Sequence, residues 1–214
     1  MKKIIIFDLD GTLLNTIDDL ADGVNHALAR FGYPLRSVEE VTAFVGNGIG
    51  NLIQRALPGG RENPDYENVF GEFREFYSEN CMIKTRPYPG IPELLDELDA
   101  RGIISAVVSN KNDLAVGRLA EKYFKGKMAL AIGEREGIRR KPAPDSVLEV
   151  LNRLGAKADE ALYVGDSDVD IETARNAKID CISVDWGFRS REFLIKSGAG
   201  IIISKPAELL SYTL

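Results

Sequence analysis

Short apolar runs alternate along the chain with longer amphipathic stretches. The KIIIF run at 3–7 is continuous, as expected of a strand buried on both faces. Similar runs lie at 103–108 (IISAVV), 128–132 (MALAI), 161–164 (ALYV), 181–184 (CISV) and 200–203 (GIII). Helical patterns separate most of them. Residues 91–100 place Ile91, Leu94, Leu95 and Leu98 on one face, and 113–123, 145–154 and 169–177 follow the same period. Strands alternating with helices predict right-handed βαβ units on a parallel sheet. We therefore expect an α/β fold: a Rossmann-like three-layer core.

One stretch breaks the alternation. Between the first run and Tyr88 nothing reads as a strand. Ile17, Leu20, Ala21, Val24, Leu28 and Phe31 keep a 3.6-residue period, and 38–44, 49–56 and 66–77 also read as helices. These form an inserted α-helical domain over residues 15–81, with residues 1–14 and 82–214 making the core. Arg86-Pro87-Tyr88-Pro89-Gly90 is rigid punctuation that returns the chain to that core.

Composition removes several classes of function. The 214 residues carry 27 basic and 33 acidic side chains, a net charge of −6. That balance lacks the basic footprint of a nucleic-acid binder. No apolar run reaches the length of a membrane span, and the four-residue run before Asp8 is too short for a secretory signal. We expect a cytoplasmic protein, monomer or dimer, with neither nucleic acid nor membrane as partner. Cys81 and Cys181 stand far apart and read as reduced thiols. His26 is the only histidine and falls on the polar side of its helix, so a zinc site or a histidine-based triad has little to draw on.

The chemistry collects where the strands end. In open parallel sheets that edge binds ligands. After the first run comes Asp8-Leu9-Asp10-Gly11-Thr12-Leu13, and after Val108 comes Ser109-Asn110-Lys111. After the 128–132 run a charged loop leads to Lys141-Pro142-Ala143-Pro144; after Val164 comes Gly165-Asp166-Ser167-Asp168-Val169-Asp170. Asp8 and Asp10, two apart, would point the same way on a strand. Together with Asp166 and Asp170 they need neutralising, and Mg2+ prefers carboxylate and water oxygens. Lys141 offers a compact charge for phosphate, and the Ser109 hydroxyl a donor. A cation, a lysine and positioned donors suit phosphoryl transfer, with a carboxylate as the nucleophile. Asp185-Trp186-Gly187-Phe188 also follows a strand, either lining the site or making a packing turn.

With four such signals in order, the chain resembles the haloacid dehalogenase superfamily of phosphohydrolases. Asp8-Leu9-Asp10-Gly11-Thr12-Leu13, Ser109, Lys141 and the 165–170 segment match its four motifs. The resemblance implies that Asp8 attacks phosphorus and that Asp10 protonates the leaving oxygen, then activates water against the aspartyl phosphate. It implies Mg2+ held by Asp8, the backbone carbonyl of Asp10 and Asp166, with Asp170 in support. Ser109, Asn110 and Lys141 are assigned to phosphate. The helical insert is similar to the family's cap. Within the superfamily the sequence is most similar to the phosphoglycolate phosphatase group, through Phe44-Val45-Gly46-Asn47-Gly48, residues 52–57, Pro87-Tyr88-Pro89-Gly90 and Ser109-Asn110-Lys111. Asn15 departs from that group, which often has an acid there. Gly46, Asn47 and Gly48 either make a turn or contact substrate, and Arg55 and Arg86 are candidates for a substrate carboxylate.

The expected activity is a Mg2+-dependent phosphatase for a small phosphorylated metabolite, with 2-phosphoglycolate foremost. A β-phosphoglucomutase-type phosphotransferase and a pyrophosphatase are alternatives on the same scaffold. A non-enzymatic aspartyl-phosphate switch is an alternative of another class, though such switches lack an acid at the position of Asp10.

Overall fold

The computed structural model describes residues 2–46 and 48–213. The chain forms two compact units, Met1–Leu14 with Pro87–Leu214, and Asn15–Arg86. The second unit thus extends past the expected residue 81 to Arg86. Among the described residues no helix is long and apolar enough to cross a membrane.

The larger unit is built on six parallel strands. They are β1 (Ile4–Phe7), β4 (Ile104–Asn112), β5 (Met128–Glu134), β6 (Ala161–Gly165), β7 (Asp180–Val184) and β8 (Ile202–Ile203), in the order β5-β4-β1-β6-β7-β8. The chain passes outward from β1 to β4 and β5, then crosses back to β6 and runs out to β8. Right-handed crossovers in opposite directions place helices on opposite faces of a sheet. Helix α5 (Ile91–Ala100) precedes β4 and α6 (Asp113–Phe124) follows it; α7 (Asp145–Arg153) and α8 (Asp168–Ala177) follow β5 and β6. Ile4 and Ile6 point to the α7 and α8 side, in one buried cluster with Val147, Val150, Tyr163 and Ala174. Ile5 and Phe7 face the other way and are equally buried. That two-sided burial explains why β1 reads IIIF without alternation.

The direction of connection reverses between β1 and β6, whose residues pair in register from Ile4↔Ala161 to Phe7↔Val164. The carboxyl ends of strands flanking such a reversal form a natural crevice. Asp8 and Asp166 each follow one of these two strands.

Several strand limits differ from the sequence expectation. β4 continues through Ser109-Asn110-Lys111-Asn112, although those polar residues read as a loop. The extension is possible because Gly133 on β5 has no side chain: a Cβ there would lie 2.5 Å from the Lys111 carbonyl oxygen and from the Asp113 Cα. The 200–203 run contributes only Ile202–Ile203. A two-stranded ribbon, β2 (Leu14–Asn15) with β3 (Arg86–Pro87), marks where the chain leaves and re-enters the larger unit. A short helix, α9 (Arg191–Lys196), was not expected; the Ser190 hydroxyl caps it by accepting from Phe193 N–H.

The smaller unit holds α1 (Ile17–Arg30), α2 (Val38–Phe44), α3 (Ile49–Ala56) and α4 (Tyr66–Asn80). Helix α1 packs on α4, and Gly23 lets them approach closely: a Cβ there would lie 3.0 Å from the Phe73 ring. Ser37 and Glu40 form a reciprocal capping box at the start of α2. The buried Asp19 carboxylate accepts from Lys84 N–H at 2.9 Å and Thr85 N–H at 2.8 Å. That fixes the returning segment on α1. Asn15, the departure noted in the sequence, accepts from Ile17 N–H at 3.3 Å at the start of α1. His26 lies exposed, 2.9 Å from Glu72 and stacked on Phe76.

Candidate active site

Four of the expected residues meet at the ends of β1 and β6. Asp8, Asp166 and Asp170 are buried and place one carboxylate oxygen each within 4.8 Å of the others. Lys141 is buried among them. Its Nζ donates to Asp8 Oδ1 at 2.8 Å, to Asp170 Oδ1 at 2.7 Å and to the Tyr163 hydroxyl at 3.1 Å. Those three acceptors match the three donors of an ammonium group.

Asp170 is the most heavily engaged of the acids. Oδ1 accepts from Lys141 and from the Tyr163 hydroxyl at 3.0 Å. Oδ2 accepts from the backbone N–H and the hydroxyl of Ser167. Ser167 in turn caps α8, so the helix start and the carboxylate fix each other. Gly165 makes room for this, since a Cβ there would fall 2.3 Å from the Asp170 Cγ.

Asp166 is held from two directions. Thr12 donates its hydroxyl to Oδ1 at 3.3 Å, and Phe188 N–H donates to Oδ2 at 2.7 Å. Trp186 ties the same turn to the first loop by donating its indole N–H to the Thr12 carbonyl at 3.0 Å. The 185–188 segment therefore makes a packing turn behind Asp166.

Three carboxylates face one ammonium, and the titration of Asp166 and Asp8 reflects their burial there. Burial pushes the Asp166 carboxyl up to about 7; the Asp170 charge adds to this, while the Phe188 N–H opposes it. Burial likewise raises Asp8 well above the carboxylate range, against the pull of Lys141, and Asp170 and Asp166 reinforce the rise. For Lys141 burial works against the charged form, but Asp170 and Asp8 outweigh it and hold the ammonium above its usual value. A buried acidic cluster with oxygen donors, short of positive charge, fits a hard divalent cation. Asp8 and Asp166 could hold one, with the Asp170 carboxylate beside them.

Asp10 lies apart from that cluster. Its carboxylate accepts from Lys111 Nζ at 3.0 and 3.3 Å. Asn110 clamps the backbone of Lys141, donating to its carbonyl at 3.0 Å and accepting from its N–H at 2.8 Å. The Ser109 hydroxyl is buried and accepts from Lys111 N–H at 3.2 Å. In the smaller unit, Arg55 donates to the carbonyls of Phe44 at 2.7 Å and Gly46 at 3.3 Å, so it braces the glycine segment. Gly46 and Gly48 both adopt positive φ, a backbone conformation that favours glycine. Asn47 lies outside the described residues. Arg86 donates to the Lys84 carbonyl and lies 3.8 Å from Asp18.

Residues 5–184 match the family of haloacid dehalogenase-like hydrolases. The chain belongs to that family. A phosphoglycolate phosphatase of Aquifex aeolicus is 33% identical over 209 residues, covering 97% of this chain and 95% of its own. One from Mesorhizobium japonicum is 35% identical over 196 residues, covering 89% and 86%. Among solved structures, a phosphoglycolate phosphatase candidate from Lactobacillus delbrueckii subsp. bulgaricus has a TM-score of 0.95 and 39% identity, covering 100% and 99%. A predicted phosphoglycolate phosphatase from Haemophilus somnus has a TM-score of 0.91 and 29% identity, covering 100% and 98%. This haloacid dehalogenase-like protein is accordingly an enzyme, a phosphoric monoester hydrolase.

Sequence reasoning passed over four contributors to the site of this hydrolase. Tyr163 sits inside an apolar run and reads as core; the signal is a hydroxyl in an otherwise aliphatic strand, three residues before Asp166. Lys111 follows Ser109 by two positions but was noted only for its likeness to a subgroup. Thr12 belongs to the first motif without an assigned task. The Phe188 N–H is a backbone group and leaves no mark in the sequence.

Proposed function

We propose that this enzyme is a Mg2+-dependent phosphatase that hydrolyses 2-phosphoglycolate through a phosphorylated Asp8. The observation that carries the reading is the buried set of Asp8, Asp166 and Asp170 around Lys141. The names of its relatives support the choice of substrate. The smaller unit is read as the family's helical cap.

Asp8, Asp166 and the carbonyl of Asp10 would hold Mg2+. Both oxygens of Asp170 already accept two hydrogen bonds each, so Asp170 supports the site through Lys141 and Ser167. When bound, the ion would offset the negative charge of a phosphate brought against Asp8.

The residues then divide the work. Asp8 attacks phosphorus as the bond to the bridging oxygen breaks, and Asp10 gives that oxygen its proton. Asp10, now a carboxylate, takes a proton from a water that attacks the phosphoryl group. The phosphorus–oxygen bond to Asp8 breaks, freeing phosphate and Asp8. Lys141 fixes Asp8 and meets the phosphoryl oxygens together with Ser109, while Asn110 holds the Lys141 backbone in place.

The test is phosphate release, with Mg2+ and with EDTA, from 2-phosphoglycolate, glucose phosphates, pyrophosphate and nucleotides. Preferential Mg2+-dependent release from 2-phosphoglycolate is expected. Preference for pyrophosphate, or phosphate transfer between sugar phosphates, would replace the substrate. A stable phospho-Asp8 without turnover would replace the enzyme by a switch.

A further inference from the structure

Two lysines stand at the strand ends, and they serve different partners. Lys141 is committed to Asp8 and Asp170. Lys111 is committed to Asp10, and its side chain is only 7% exposed. A sheltered ammonium must be paired to be tolerated, so the Lys111–Asp10 contact is a fixed feature of the site edge.

Its direction is set by rigid backbone. Lys111 lies within β4, where Gly133 comes up against its carbonyl, and the next residue on the Ser109 side, Asn110, is bound at both ends to Lys141. The two lysines are thus held by one stretch of strand, one on each side of it chemically: one at the nucleophile, one at the acid.

We infer that Lys111 recognises an anion carried on the leaving group close to the bridging oxygen, and so selects phosphate esters of small hydroxy acids. This rests on the acid role proposed for Asp10. An acid that protonates the bridging oxygen comes within about 2.6–3.2 Å of it. A cation 3.0 Å from that acid then stands within about 6 Å of the same oxygen. In a glycolyl ester the carboxylate carbon is two bonds from the bridging oxygen, which brings its oxygens within reach of Lys111. In the ethyl ester a methyl group occupies that place. Lysine suits the task because its ammonium is a compact charge on a flexible stem.

The test compares 2-phosphoglycolate with ethyl phosphate in the wild-type enzyme, Lys111→Met and Lys111→Arg. The methionine variant should lower the ratio of kcat/KM for the two esters by about 10–100-fold, mainly through KM for the glycolyl ester. The arginine variant should restore much of the ratio. An equal loss on both esters, carried by kcat, would overturn the inference and leave Lys111 serving Asp10 alone. Binding supplies a second readout that needs no turnover. Calorimetry with 3-phosphonopropionate and with propylphosphonate, inert counterparts of the two esters, should show Lys111→Met weakening only the first. If neither ester is hydrolysed but that binding difference holds, the phosphatase reading fails and the recognition stands. If both ligands bind alike to both proteins, the recognition fails whatever the activity.

Discussion

The backbone N–H of Phe188 donates to Asp166 Oδ2 at 2.7 Å, with Gly187 beside it pressed against the same carboxylate. A Cβ on Gly187 would lie 2.4 Å from Asp166 Oδ2 and 2.4 Å from the Gly11 carbonyl oxygen. Neither neighbour can retreat easily, one being a buried acid and the other backbone. Gly187→Ala should therefore displace Asp166 and weaken divalent-cation binding by about 10–100-fold, the usual cost of losing a group that orients a ligand. Calorimetric titration of Mg2+ checks this. Unchanged affinity would show that the turn behind Asp166 is not what aims it.

Asp8→Asn should reduce phosphate release by at least about a thousandfold, because an amide cannot serve as nucleophile. Its circular dichroism should stay that of the wild type. Asp10→Asn should slow turnover strongly while still allowing a single phosphorylation of Asp8 by an ester with a good leaving group. Intact-protein mass spectrometry of quenched samples reads that phosphoenzyme directly.

Without a cation, the Asp166 carboxyl is raised to about 7, against about 4 in an unfolded chain. Between these values the folded state holds more protons than the unfolded one. Stability must then fall as pH rises from about 4 to about 7, at up to about 1.4 kcal/mol per pH unit. Below that window the contribution is fully present, and above it is lost. Melting curves in EDTA from pH 5 to 8 should show Tm declining, and millimolar Mg2+ should reverse the decline most at the upper end. A Tm in EDTA that rises steadily over this range would contradict the assignment.

Asp19 closes two backbone N–H groups of the returning segment with one buried carboxylate. Asp19→Ala leaves both without their acceptor and should cost about 2–4 kcal/mol. Urea unfolding measures it. Asp19→Asn, which retains one acceptor oxygen, should lose less.

The parts of the site legible in the sequence were those announced by a change of character. Asp8 and Asp166 each end a run of buried aliphatic residues, so polarity there demanded an explanation. Lys141 and Asp170 became readable once those two were in place. Tyr163 was hidden because aromatic residues are ordinary in a buried strand, and nothing in ALYV says its hydroxyl reaches Asp170. β4 was cut short for the opposite reason: Ser109-Asn110-Lys111-Asn112 is polar, and polarity in an extended segment reads as loop until the neighbouring strand is known to carry a glycine. The β2–β3 ribbon, two residues a side, is too short to show any period.

Lys141 meets Asp8 across 133 positions of sequence, and Asp8 directly follows β1, one of the two central strands of the sheet. A growing chain thus carries its buried acid long before it carries the lysine that matches it. Any partly built sheet that closed around β1 without the later segment would trap an unmatched charge or leave the crevice wet. Half-assembled forms are disfavoured by the same atoms that would do the chemistry. The acquisition of catalytic competence should therefore coincide in time with the last cooperative step of folding, so that regain of phosphate release would serve as a clock for refolding.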